Sequence, residues 1–163
     1  MKILLIIVAA ILLLVVGTLL KNHAPLFDPP GLKERLVVYL TTNVAKTADD
    51  HPFAELRTPV FSAGPDELYI AVKDAAISLG WAITDSDDVR WRLHLAAKTH
   101  LLLFVDDVHI KIKPQGCQEG ITRTALHIES RSRVGKADFG ANADHIQQLV
   151  KAVNGRLELG FVH

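Results

Sequence analysis

Cysteine is nearly absent: Cys117 stands alone in a chain of 163 residues. This excludes an intramolecular disulfide and a multi-cysteine zinc site. It leaves the redox compartment open, because a domain of this size needs no covalent staple. An excess of charge is missing too. Eighteen Lys and Arg balance eighteen Asp and Glu, so bulk electrostatics favours neither nucleic acid nor acidic substrates. No glycine loop of the G-x-x-x-x-G-K-S/T or G-x-G-x-x-G kind cradles a phosphate. No G-x-S-x-G elbow presents a serine. There is no internal repeat, and no cysteine near the N-terminal apolar run to carry a lipid.

That apolar run is the most conspicuous feature present. Ile3 to Leu20 carry no charge, and only Gly17 and Thr18 interrupt the aliphatic residues. Eighteen residues at the helical rise cover about 27 Å, enough to cross a hydrocarbon core. The run exceeds the apolar part of a cleaved signal peptide, and no small-x-small site follows it. A retained anchor over residues 1–21 is therefore expected. Lys2 is opposed by Lys21, Lys33 and Arg35, so the positive-inside rule is nearly balanced. A short tail ahead of such a run stays in the cytoplasm, which places the domain outside a bacterial cytoplasmic membrane, in the periplasm. Pro25, Pro29, Pro30 and Gly31 read as a stiff tether within residues 22–40. Residues 41–163 form the domain.

Within the domain, Pro59–Phe61 reads as a short strand. Gly64–Pro65–Asp66–Glu67 starts a helix, with proline and acids in the first turn. Leu68, Ala71, Val72, Ala75, Ala76 and Leu79 follow at helical spacing, and Gly80 ends it. Trp81–Asp85 is a strand and Asp85–Asp88 a turn. Three strands then alternate. Val89, Trp91, Leu93, Leu95 and Ala97 share one face, as do Phe104, Asp106, Val108, Ile110 and Ile112. Thr122, Thr124, Leu126, Ile128, Ser130 and Ser132 share that face on the last strand. Pro114–Gly120 is read as a turn. Asn142 caps a final helix with an apolar stripe of Ile146, Leu149, Val150, Val153 and Leu157. The expected class is α+β: an antiparallel sheet of four to five strands with two helices on one face, in the order β-α-β4-α, behind one transmembrane helix.

The opposite sheet face is expected to be wet and rich in cations. Arg90, Arg92, Lys98, Lys111, Lys113, Arg123, Arg131 and Arg133 fall on it, with His94, His109 and His127. Asp107 and Glu129 are its only acids, because most others precede the first long strand. Of these cations, Arg90, Arg92, Lys98, Lys111, Arg123, Arg131 and Arg133 form a candidate surface for an anionic lipid or an acidic partner in a membrane-protein complex. The face lacks aromatics for base stacking, so nucleic acid is not expected.

Candidate chemistry is sparse. Asp106 and Asp107 are neighbours on a strand, point to opposite faces and cannot share a proton. Asp106 lies on the apolar side and needs partners, which Ser130 or the 134–141 loop amides could supply. Three histidines on one face approach a metal-site pattern, but the surrounding Arg and Lys oppose a cation. No metal and no cofactor is expected.

The stretch Glu129–Ser130–Arg131–Ser132–Arg133–Val134–Gly135–Lys136–Ala137–Asp138–Phe139–Gly140–Ala141–Asn142 resembles the signature of the DUF1499 family, roughly R-S-x-S-R-x-G-x-x-D-x-G-x-N before a helix. Phe104–Val105–Asp106–Asp107–Val108 is similar to its upstream F-x-D-D-V element. The resemblance implies bacterial or plastid proteins, often membrane-attached, with no established activity. It singles out Asp106, Asp107, Arg131, Ser132, Arg133, Gly135, Asp138, Gly140 and Asn142. Three positions depart from the pattern. Glu129 replaces the leading arginine, Thr42–Asn43–Val44 occupies an early P-N-C-V-S element without its cysteine, and His145 stands where arginine is common. The motif reads as a corner, with Gly135 and Gly140 adopting shapes closed to other residues and Asp138 accepting loop amides. The functional expectation is a non-enzymatic binding or accessory domain in the cell envelope. The alternative is a small-ligand or hydrolase site built from Asp106, Arg131, Arg133 and Asp138.

Overall fold

The computed structural model describes residues 1–98, 104–118 and 120–160. Residues 161–163, with which the expected domain ends, lie outside the described residues. Helix α1 (Lys2–Lys21) comes first. Its mean hydropathy is 3.3 and almost none of it is buried, so by length and composition it can cross a membrane.

Helix α2 (Leu32–Thr41) occupies the stretch expected to be a tether. It docks on the domain because Arg35 and Tyr39 are buried. Arg35 donates to both carboxylate oxygens of Glu55, at 2.5 and 3.2 Å, and to the Asp28 and Pro29 carbonyls. Its guanidinium also lies 4.3 Å from the centre of the Phe53 ring. A fully buried arginine is tolerable only with such complete pairing. Burial would raise the Glu55 carboxyl, but Arg35 outweighs it and holds that group below the ordinary carboxylate range. The Tyr39 hydroxyl, buried beside Glu55, is pushed up to about 12.

The core strands then follow the alternation. Strands β1 (Val44–Lys46), β2 (Val60–Phe61), β3 (Ala82–Asp87), β4 (Arg92–Lys98), β5 (Val105–Gln118) and β6 (Ile121–Ser132) form one antiparallel sheet. The spatial order is β1-β6-β5-β4-β3, and β2 also pairs with β6. Helices α3 (Pro65–Ser78) and α4 (Ala141–Gly160) cover one face. Leu68, Val72, Ile146, Leu149 and Val153 from the helices meet Leu93, Leu95, Val108, Ile110, Leu126 and Ile128 from the strands. The α+β class and its two covering helices are as expected.

Several local expectations are corrected. Val44–Lys46 pair with β6 as strand β1, too short for any periodicity argument to reveal. Strand β3 extends to Asp87, and the following turn takes up Val89, Arg90 and Trp91. Val89 is therefore exposed and not inward-facing. Trp91 adopts a positive φ and donates its indole N–H to Asp66 at 2.8 Å. Strand β5 continues through Pro114 to Gln118, with a register shift between Pro114 and Gly116. Such a bulge admits a proline that regular pairing would reject.

Candidate functional site

The uncovered sheet face holds the residues read as wet. Register aligns Arg92 with Lys111 and Lys111 with His127. It aligns His94 with His109 and His109 with Glu129. The two rings of His94 and His109 stack at 4.3 Å, only 10° from parallel. Like charges directly across a sheet repel, yet Arg92 and Lys111 sit so, with Lys113 two residues further on the same face. Neither Arg92, Lys111, Lys113 nor Arg123 makes a salt bridge among the described residues. The local field is visible at His127, whose imidazole is pushed below its ordinary range by burial and then by Lys113 and Lys111.

Other members of the expected cationic surface are neutralised. Arg90 pairs with Asp87, Arg131 with Glu129, and Lys46 with Glu129. Arg133 grips Asp107 through Nε and Nη2, the shortest contact being 2.6 Å. That pairing holds the Asp107 carboxyl below the ordinary range. Acids are also not confined elsewhere: Asp85 and Asp87 of β3 lie opposite His94 and Arg92. The positive region contracts to Arg92, Lys111 and Lys113, with Lys98 and Arg123 further along β4 and β6.

The motif corner is a different environment, on the covered side of the sheet. Asp106 is 1% exposed and pairs in register with Ser132. Asn142 donates from Nδ2 to the Asn43 carbonyl, Ser132 Oγ and Asp138 Oδ2, at 2.7–2.9 Å. It accepts from the Ser130 hydroxyl at 2.6 Å. Asp138, not Asn142, caps α4: its carboxylate accepts from the Gly140 and Asn142 amides. Asn142 lies inside the first turn and points into the core, which removes it from the capping position expected for it. Ser132 and His145, not Ser130 or loop amides, flank the Asp106 carboxylate. Burial pushes the carboxyls of Asp106 and Asp138 above the ordinary range.

Ser130, His145 and Asp106 superficially suggest a hydrolytic triad. Geometry contradicts it. His145 presents the same nitrogen, Nδ1, to Ser130 Oγ at 3.4 Å and to Asp106 Oδ2 at 3.6 Å. A triad requires opposite ring nitrogens, and the fully buried Ser130 is closed to a substrate.

The family profile described as "Protein of unknown function (DUF1499)" matches residues 42–153. The chain belongs to the DUF1499 family. A comparison with curated proteins finds no match. The DUF1499 motif residues divide between two sides of the sheet. Ser132, Asp138 and Asn142 are joined by hydrogen bonds in the corner, and Asp106 lies beside them next to Ser132 and His145. Asp107, Arg131 and Arg133 face outward. Gly135 and Gly140 have φ of +92° and +84°, the left-handed region that favours glycine.

A cleft of about 360 Å³ opens between α2 and β1, lined by Tyr39, Thr42, Lys46, His51, Leu56 and Asp138 among others. Of Asp106, Arg131, Arg133 and Asp138, only Asp138 reaches it. Among the described residues, no set of three or more His, Cys, Asp and Glu converges as metal ligands. Sequence reading missed Arg35 because nothing in a charged residue's neighbours along the chain announces its burial. It missed the Asp106–His145 contact because α4 and β5 meet only through the fold.

Proposed function

We propose that this DUF1499 chain is a membrane-anchored, non-enzymatic module that uses its open sheet face to hold an acidic protein partner in the cell envelope. Helix α1 is the retained anchor in this reading, with the domain on the periplasmic side. The observation that carries the proposal is the Arg92–Lys111–Lys113 cluster. These cations lie on adjacent strands, uncovered by any helix and without a salt bridge among the described residues; Arg92 has Asp87 across from it on β3, while Lys111 faces only Arg92 and His127. A solvated face that served stability alone would alternate charge, as Asp107–Arg133 does nearby. The hydrolase alternative loses support because its four residues open into no common cavity.

Strand geometry sets the direction of approach. Asp107 and Lys113 are six residues apart on β5, about 20 Å at the extended rise. The corner touches the end of α1, through Asn22 to the Phe139 carbonyl, so the cluster projects away from the anchor.

The test is affinity purification of the full chain in mild detergent beside the double variant Arg92→Glu, Lys111→Glu. Wild type is expected to retain a partner at low salt and lose it at high salt, while the variant never retains it. Identical retention by both proteins at every salt concentration would refute the reading.

A further inference from the structure

The anchor's exit and helix α2 meet at one corner of the domain. Asn22 donates from Nδ2 to the Phe139 carbonyl at 3.0 Å. His23 Nδ1 lies 3.3 Å from Asp144 Oδ1. The Phe139 amide donates to the Tyr39 carbonyl of α2 at 3.0 Å. A Cβ at Gly140 would touch Ala24 at 3.4 Å and the Tyr39 ring at 3.7 Å. The end of α1 and the C-terminal half of α2 therefore press on the same few residues.

Contact extends down the anchor as well. Leu19 is buried in the domain core, and Val15 packs against it. Val15 precedes Lys21 by six residues, about 9 Å along a helix. A spanning helix whose last turns touch the domain forces that part of the domain to membrane level.

What faces outward there is apolar. At 100° per residue, Leu32, Leu36, Leu40, Lys33 and Val37 occupy one arc of about 140° on α2, in which Leu36 is half-buried against the core and the other four are exposed. Leu40 is 40% exposed and Val37 55%. Phe27, in the connection between the helices, is 84% exposed. Lys21 and Lys33 flank these residues, the composition of a helix that lies in a bilayer interface.

We infer that Phe27 and the exposed Leu32, Val37 and Leu40 of α2 form a shelf seated in the headgroup region of the bilayer that α1 crosses. The shelf holds the domain at one tilt instead of letting it swivel. This inference rests on the retained-anchor reading above.

The test uses the full chain, with Cys117→Ser, reconstituted in phosphatidylcholine vesicles. Nitroxide labels are placed singly through Phe27→Cys, Val37→Cys and Leu40→Cys. Leu12→Cys in α1 and Val89→Cys in the β3–β4 turn serve as references. Collision rates with oxygen and with a water-soluble nickel chelate report depth. Labels at 27, 37 and 40 are expected to favour oxygen, at depths between those of Leu12 and Val89. If 37 and 40 match Val89 while Leu12 lies in lipid, the shelf is wrong and the anchor stands. If 37 and 40 are shielded from both reagents, a protein surface covers α2 and the shelf is again wrong. If Leu12 itself meets water, the anchor reading falls and takes the shelf with it.

Discussion

Asp106 shows what burial does to a single carboxyl. The covered side of the sheet offers it Ser132 and His145, and Asp138 and Asp107 add negative charge nearby. Arg133, on the outer side, opposes them only weakly. The folded group consequently holds its proton to higher pH than it would in the unfolded chain. For a raised carboxyl, the stabilising contribution is present below the unfolded value and is lost as pH rises through the folded one. Asp106→Asn keeps the shape and removes this loss. The variant should gain stability relative to wild type as pH rises from acid to neutral, read from thermal midpoints in detergent. A gap between the two proteins that is flat with pH would show that Asp106 does not titrate this way. That Asp106 faces the core was legible from strand alternation. Its partners were not, because residue 145 is distant in the chain.

At the scale of elements, α2 depends on one side chain. Arg35 joins Glu55, two backbone carbonyls, the Tyr39 hydroxyl and the Phe53 ring. Removing it leaves a partly buried carboxylate and two carbonyls without their donor. Arg35→Ala should cost about 3–5 kcal/mol, the range for breaking a buried ion pair on one side. Glu55 is held below its ordinary range, so its contribution is present at neutral pH and lost as pH falls. The cost of the variant should therefore shrink in acid. Denaturant midpoints at two pH values, together with proteolysis near residues 28–34, check both points. A cost under about 1 kcal/mol would mean that α2 docks without this arginine. The prolines and glycine at 25–31 were read as a tether from their composition alone. Composition reports backbone stiffness, and it is silent on where a neighbouring arginine buries itself.

For the whole molecule, net neutrality conceals a division of charge. Asp85 and Asp87 on β3 and the Arg131–Glu129 and Arg133–Asp107 pairs balance much of the open face. The field that remains is concentrated at Arg92, Lys111 and Lys113. Arg92 and Lys111, kept opposite each other, repel and so work against folding. Lys111→Gln should leave the fold intact and raise stability by roughly 0.2–1 kcal/mol, the scale of one cross-strand pair, because Lys111 faces Arg92 and His127 with no acid opposite it. Calorimetry at low salt measures it, and the gain should fade as salt screens the repulsion. Destabilisation by this change would assign Lys111 a structural role instead.

Periodicity along the chain determined the helices α3 and α4 and the inward and outward faces of β4, β5 and β6, and composition determined the apolar helix at the N-terminus. Each follows from residues a few positions apart, where the helical or extended repeat decides which side chains share a side. Packing between distant segments decided the remainder: the burial of Arg35, the acids of β3 beside the cations of β4, and the seating of α1 and α2 on the Phe139–Asp144 corner. Those contacts join residues tens of positions apart. No local repeat encodes them, because only closure of the core brings such groups within reach of one another.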